Sequence, residues 1–195
     1  MGKHYKSVFE NEQELLKAIL QIHCDGVDTF EADPFYFKGN FYKDIPRPQL
    51  VSDLNPLFDF VEKLDVKDFY YPALNSIILD PPFLFGIHGK TKNYYSSKTH
   101  TIFRDFQELE VVYKNALNSA YKSLKKKGVL IFKCQDYTDS KTTMTHSLVY
   151  NWATELGFYA KDLAILVKPN KIYNGNLTQR HLRKIHTYFW VFIKN

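Results

Sequence analysis

The sequence has few of the residues that mark secreted or membrane proteins. Only two of its 195 residues are cysteines, Cys24 and Cys134, too few for a disulfide scaffold. Cys134 lies in an apolar run, where a reduced thiol is expected. The sequence shows no secretory signal, and no apolar run reaches the length of a membrane span. These absences predict an intracellular, reducing compartment such as the cytoplasm, with no membrane partner.

The usual signatures of metal and phosphate sites are also missing. The seven histidines are scattered along the chain, and His181 and His186 do not have the spacing of a helical metal-binding pair. There is no Gly-rich phosphate loop and no Ser-His-Asp arrangement. The sequence therefore predicts no bound metal.

Length and composition are those of a compact globular protein. The chain is 45% hydrophobic and 24% charged, which predicts one domain with its own core over residues 1–195. The formal net charge of +5 favours a polyanionic partner, although this signal is weak by itself.

The apolar pattern predicts alternating helices and strands. Helices are predicted over residues 11–23, 56–64, 103–124 and 144–156, with Lys125 to Lys127 and Gly128 ending the third. Strands are predicted over residues 27–32, 49–53, 74–79, 129–134, 163–167 and 188–193. This alternation is typical of an α/β sheet with right-handed crossovers.

Polar residues follow four of the predicted strands. Asp33, Asp53 and Asp80 each end one strand, and the segment 133–136 ends the next. The carboxyl ends of parallel strands meet at one edge of a sheet, where ligands bind in such folds. The sequence thus predicts a binding site at this edge.

The sharpest motif is Asp80-Pro81-Pro82-Phe83, which follows the apolar strand. The Asp80 carboxylate and the Pro81 carbonyl would accept the two hydrogens of a planar amino group, and Phe83 would stack on the ring that carries it. The set suits the amino group of adenine. The alternative is a strand end followed by a turn, because Asp-Pro commonly starts turns.

This motif resembles the Asp/Asn-Pro-Pro-aromatic signature of S-adenosylmethionine-dependent methyltransferases that modify the amino group of adenine. The wider pattern is similar to small phage and prophage members, with the segment 33–41 upstream and a basic segment containing Gln179 before the last strand. The resemblance implies a Rossmann-like class I methyltransferase sheet of seven strands, mostly parallel, with an antiparallel last strand. It also implies S-adenosyl-L-methionine as the cofactor.

The implied reaction is methylation of the exocyclic amino group of adenine, with DNA favoured as substrate and RNA as the alternative. A duplex substrate would require the base to be flipped out of the helix. A catalytically inactive nucleic-acid or cofactor-binding module is the alternative from another class. It is favoured by the absence of a Gly-x-Gly turn after the first strand and of an evident first crossover helix.

Six residues are predicted to bind the cofactor, namely Asp33, Gly39, Asp53, Asp80, Lys133 and Gln135. Asp53 would bind the ribose hydroxyls or cap a helix before Pro56. Asp33 would contact the methionine amino group or serve as a turn residue. Lys133 and Gln135 are equally consistent with plain strand ends. Asp65 and Asp68 would approach the cofactor's adenine or lie in a solvated loop.

Nine residues are predicted to contact nucleic acid, namely Lys90, Lys92, Tyr94, Tyr95, Lys98, Arg180, His181, Arg183 and Lys184. They combine positive charge with stacking groups. The alternative is a pair of solvated basic loops. Because little of the chain is left for a separate target-recognition domain, the loops 35–48, 84–102 and 168–186, a specificity partner or a homo-oligomer would supply sequence recognition.

Overall fold

The structure is a computed structural model that describes residues 4–86, 102–138, 141–168, 180–182 and 184–195. The helices are α1 (Glu12–His23), α2 (Phe106–Ser123), α3 (Thr145–Glu155) and a 3-10 turn (Val66–Asp68). The strands are β1 (Val8–Phe9), β2 (Ala32–Asp33), β3 (Leu50–Asp53), β4 (Glu62–Lys63), β5 (Leu74–Leu79), β6 (Leu124–Cys134), β7 (Tyr137–Thr138), β8 (Thr142–Thr143), β9 (Phe158–Val167) and β10 (His186–Lys194).

Eight of the strands form one sheet in the order β1-β9-β10-β6-β5-β2-β3-β4. β10 is antiparallel to both of its neighbours, β6 and β9, and the other pairs in this sheet are parallel. The predicted mostly parallel sheet with an antiparallel last strand is therefore confirmed. β1 adds an eighth strand at the edge, outside the seven that were expected.

Helices cover both faces of this sheet. Within β5, Ile77 and Leu79 belong to the core under α2 and α3, whereas Ile78 belongs to the core under α1. All three side chains are fully buried, which explains the continuous apolar run in this strand. Each such burial contributes about 1.5–3 kcal/mol. The packing fixes β5, and with it the position of the motif that follows.

The helix starts follow local capping rules. The Asn11 side chain accepts hydrogen bonds from the backbone N–H groups of Gln13 and Glu14, so α1 begins where the sequence predicts it. Asp105 accepts from the N–H of Glu108 and sets the start of α2. The predictions of these two helices are confirmed, with α2 beginning three residues later than expected.

The lysines at 125–127 were predicted wrongly as a helix end. α2 ends at Ser123, and β6 begins at Leu124, which pairs with Leu74. Val129 pairs with Ser76, so Lys125 to Gly128 bulge out of register. A Cβ at Gly128 would lie 2.9 Å from the carbonyl oxygen of Lys125, so the bulge requires glycine.

Two further element predictions are wrong. Residues 56–64 form turns and β4 rather than a helix, because Glu62 and Lys63 pair with the end of β3. In the predicted strand 27–32, only Ala32 belongs to a strand. Val27 is about half exposed, so the alternation there does not correspond to a buried sheet face.

The chain passes from β2 to β3 without a helix, through residues 34–49. Aromatic packing organises this crossover, with the Tyr36 and Tyr42 rings stacked at 5.6 Å. The described residues contain no helix that is both long enough and apolar enough to cross a membrane.

Candidate active site

A cavity of about 940 Å³ opens at the carboxyl ends of β3, β5 and β6. Its wall includes all four motif residues, Asp80 to Phe83. Other lining residues are Phe35, Phe37, Asn40, Asp53, Leu54, Asn55, Asp65, Val66, Leu84, Phe103, Lys133, Gln135, Asp136, Lys168, His181, Lys184 and His186. Its volume is near the upper end of the range for small-molecule sites. The predicted edge of the sheet therefore carries a large cavity.

Neighbouring elements hold the motif in place. The hydroxyl of Tyr113, from α2, donates to the carbonyl of Pro82 at 3.1 Å. Beyond Phe83, the backbone N–H of Phe103 donates to the carbonyl of Leu84 at 2.9 Å. Because Tyr113 is fully buried and burial raises its pKa well above the usual range, its proton stays in place as a donor. The motif is thus anchored on both sides of Phe83.

Asp80 forms an ion pair at the end of β6. Lys133 Nζ lies 2.9 Å from Asp80 Oδ2, and the Asp80 side chain is about one third exposed (35%). Burial raises the pKa of Asp80 above its usual value, and the charge of Lys133 opposes this rise. The carboxylate therefore combines limited access to water with a fixed cationic partner.

Lys133 has a second carboxylate partner, Glu12 in the first turn of α1. Lys133 Nζ lies 3.1 Å from Glu12 Oε1, and the Phe41 ring centroid is 4.7 Å away. Burial lowers the pKa of Lys133, but Asp80 and Glu12 outweigh that effect and the net pKa is raised. Lys133 therefore remains charged although its side chain is only 16% exposed.

Asp33 and Gly39 are not on the cavity wall. Asp33 is buried and accepts hydrogen bonds from the Tyr42 hydroxyl at 2.7 Å and from the Phe35 N–H at 2.9 Å. Burial raises the pKa of Asp33 to about 7. Gly39 has a positive φ of +63°, and a Cβ there would lie 2.6 Å from Tyr36 Cζ. Both residues shape the crossover loop, and their predicted cofactor contacts stay predictions.

Asp53, Lys133 and Gln135 do reach the cavity. The Asp53 carboxylate accepts from the N–H of Phe37 at 3.0 Å and from the N–H of Asn55 at 2.8 Å. It therefore orders the cavity wall and keeps further lone pairs for a ligand. The described residues directly after Asp53 form bends and turns, so the alternative role as a helix cap does not apply.

The predicted nucleic-acid residues are only partly described. Lys90, Lys92, Tyr94, Tyr95, Lys98 and Arg183 lie outside the described residues. Arg180 is exposed, and His181 and Lys184 line the cavity. The N–H of Lys168 donates to the carbonyl of Ile185 at 2.7 Å. This hydrogen bond joins the two ends of the predicted basic loop 168–186 beside the cavity.

The sequence reasoning missed a hydrogen-bond network that reaches the cavity wall through Asp136 and His186. The buried Asp136 carboxylate lies 2.7 Å from His146 Nδ1 and accepts from the Tyr188 hydroxyl at 3.4 Å. The His186 Nε2 atom lies 2.8 Å from the same hydroxyl. Asp136, directly after the apolar strand, was the only sequence signal for it. No group of three or more metal-ligating side chains occurs among the described residues.

No protein-family model and no curated protein matches this sequence. Several solved structures do match it. Over 93% of its length the chain is similar to TrmN from Thermus thermophilus, at 15% identity, 48% coverage of that chain and a TM-score of 0.52. A proposed hemolysin from Lactococcus lactis matches 94% of the chain, at 14% identity, 86% coverage and a TM-score of 0.54.

A third match is a proposed DNA modification methylase, also from Thermus thermophilus, complexed with S-adenosyl-L-methionine. It covers 67% of this chain and 53% of that chain, at 12% identity and a TM-score of 0.44. The chain spans about half the length of the methylase structures it matches. The matches to TrmN and to the Lactococcus protein show that the fold is a Rossmann-like α/β fold, as predicted.

Proposed function

We propose that this protein is an S-adenosylmethionine-dependent methyltransferase that modifies the exocyclic amino group of adenine in DNA. The observation that carries the proposal is the placement of Asp80, Pro81 and Phe83 on one wall of a cavity at the carboxyl end of β5. This arrangement joins two oxygen acceptors and an aromatic ring, which are the groups that a planar amine needs.

The cavity wall suits the proposed cofactor. Asp53, Asp65 and Asp80 contribute carboxylates that favour a sulfonium and an ammonium group, and Phe35 and Val66 add apolar surface. The volume of about 940 Å³ gives room for a nucleoside-sized donor and an extruded base together. Asp53 has the position and chemistry to bind ribose hydroxyls, as acids at this strand end do in related folds.

The bound cofactor would supply an electrophilic methyl group. The chain's own residues orient the acceptor. Asp80 and the Pro81 carbonyl accept the two amino hydrogens, which turns the nitrogen lone pair toward the donor and raises its electron density. Phe83 stacks on the base and fixes its plane, a contact worth about 1–3 kcal/mol.

Recognition of a target sequence is proposed to come from outside this core. The basic loops 84–102 and 168–186 are flanked by residues of the cavity wall. Leu84 and Phe103 flank the first loop, and Lys168 and Lys184 lie at the ends of the second. Both loops therefore join the core where substrate would enter. A partner protein or a second copy of the chain is the other proposed source of specificity.

The test is a methylation assay with labelled S-adenosylmethionine on matched DNA and RNA oligonucleotides, followed by mass spectrometry of the nucleosides. We expect N6-methyladenine in DNA. Methylation in RNA alone would show that the substrate is RNA rather than DNA. N4-methylcytosine as the product would show that the modified base is cytosine rather than adenine. Oligonucleotide binding without S-adenosylmethionine binding in calorimetry would favour an inactive binding module.

A further inference from the structure

Lys133 is held between two carboxylates that lie far apart in the sequence. Its Nζ atom is 2.9 Å from Asp80 Oδ2 and 3.1 Å from Glu12 Oε1. The Lys133 and Glu12 side chains are only 16% and 19% exposed, so water screens this arrangement weakly. α1 therefore contributes a charge to the site through its first turn.

Two aromatic rings restrict the lysine further. The Phe41 and Phe189 ring centroids lie 4.7 Å and 5.6 Å from Lys133 Nζ. Cation–π attraction and the ion pairs act on the same ammonium group. A lysine side chain is ordinarily flexible, but here its head group is fixed from several directions.

The two oxygens of Asp80 are not equivalent. Its hydrogen bond to Lys133 uses Oδ2, and no hydrogen bond between Oδ1 and another described residue is present. We propose that Lys133 is a positioning residue that holds Asp80 Oδ2, so that Oδ1 is aimed at the substrate amine, and that Glu12 holds Lys133. This inference rests on the proposed function, in which Asp80 accepts an amino hydrogen.

Several charged and titratable groups surround the Asp80 carboxyl. They are Lys133 on β6, Glu12 on α1, Lys168 after β9, Asp33 on β2, and the uncharged Tyr42, Tyr113 and Cys134. Burial raises the pKa of Asp80, Lys133 and Lys168 lower it, and Glu12 raises it. Removing the charge of Lys133 should therefore raise the pKa of Asp80, and removing the charge of Glu12 should lower it.

The first experiment measures the Asp80 carboxyl directly. Aspartate labelled with ¹³C at the carboxyl is titrated by NMR, and the Asp80 signal is assigned by its loss in Asp80→Asn. We expect Lys133→Met to raise the midpoint by about one pH unit or more, and Glu12→Gln to lower it. Lys17→Met and Glu14→Gln serve as controls on the exposed surface of α1 and should leave the midpoint unchanged.

The second experiment measures turnover on an oligonucleotide that the wild-type protein methylates. In Lys133→Met we expect kcat to fall about 10²-fold, because the acceptor oxygen loses its orientation, with a smaller change in KM. Lys133→Arg should restore part of kcat because it keeps the charge. The acidic limb of the pH–rate profile should move with the NMR midpoint in each variant.

An unchanged Asp80 midpoint in folded Lys133→Met would overturn the inference, as would shifts of the same sign in both variants. If Lys133→Met does not fold, Glu12→Gln decides: an unchanged or raised Asp80 midpoint in that folded variant would overturn the inference. A different outcome would refute the proposed function and the aiming of Oδ1. In that outcome the wild-type protein methylates no nucleic acid, although the Asp80 midpoint shifts as expected in Lys133→Met and Glu12→Gln. Full activity in Lys133→Met with the expected midpoint shift would refute the positioning role alone.

Discussion

Two adjacent strands of the sheet, β2 and β5, both lead into an Asp-Pro pair, because Asp33 ends β2 and Asp80 directly follows β5, but the two carboxylates differ in their surroundings. Asp33 is 2% exposed, and its two oxygens bind Phe35 and Tyr42 within its own loop. The Asp80 side chain is 35% exposed and is paired with Lys133, which comes from another strand. A strand-end aspartate therefore becomes a candidate for chemistry only where the fold leaves one of its oxygens accessible.

The largest expected difference between the two residues is in catalysis. Asp80→Ala should reduce methyl transfer by about 10²–10³-fold or more, because a preorganised acceptor for the amino hydrogen is lost. Binding of S-adenosylmethionine, measured by calorimetry, should change little. An Asp80→Ala protein with wild-type turnover would show that the carboxylate has no such role.

The next largest effect concerns Asp33 and stability. Burial raises the pKa of Asp33 to about 7, from 3.8, so the folded state holds a proton that the unfolded state releases. The free energy of unfolding should therefore fall as the pH rises from about 4 to about 7. Asp33→Asn cannot ionise, and it should be more stable than the wild type at pH 8 by no more than about 4 kcal/mol.

Denaturant unfolding of Asp33→Asn and wild type between pH 4 and pH 8 measures this effect. Asp28→Asn, at an exposed position, is the control and should not reproduce the gain in stability at pH 8. A gain for Asp33→Asn that is larger at pH 4 than at pH 8 would contradict the interpretation.

The aromatic residues of the two strand ends extend the comparison. Phe83→Ala should weaken productive substrate binding by about 1–3 kcal/mol, seen mainly in KM, because a stacking surface is lost. Phe35 packs against the core under α2 and α3, so Phe35→Ala should lower the melting temperature more than Phe83→Ala does. Equal effects of Phe83→Ala and Phe35→Ala on KM would contradict the assignment of substrate stacking to Phe83 alone.

The smallest expected effect is at Gly39 in the Asp33 loop. Gly39→Ala should destabilise the protein by about 1–2 kcal/mol, because the residue has φ of +63° and its Cβ would meet the Tyr36 ring. Thermal melting measures the loss, and Gly86→Ala is a control with positive φ but open space around the Cβ. A specific loss of S-adenosylmethionine affinity in folded Gly39→Ala would support the predicted cofactor contact instead.

The sequence predicts those elements whose patterns are local. The Asn11 cap and the repeated apolar residues predict α1, and the buried run predicts β5 and thus the position of Asp80. The lysines after Ser123 look like a helix end, yet Leu124 is drawn into the sheet by its pairing with Leu74. Such pairing depends on distant residues, so local pattern cannot reveal it.

The same distinction applies to the candidate site. Strand ends in the sequence predict that Asp53, Asp80 and Lys133 lie close together, because parallel strands share their carboxyl edge. Glu12 could not be predicted, since an acidic residue in a first helical turn is already explained by the helix dipole. Its contact with Lys133 spans most of the chain and depends on how α1 packs on the sheet.

The position of β10 has a consequence for how the protein is made. This strand is translated after the other strands of its sheet, yet it lies between β6 and β9 and supplies His186 to the cavity wall. While the ribosome still covers β10, β9 and β1 have no neighbour through which to join the rest of the sheet. A nascent chain therefore cannot complete the cavity wall before this strand emerges, and newly made protein should form the cavity only after that point.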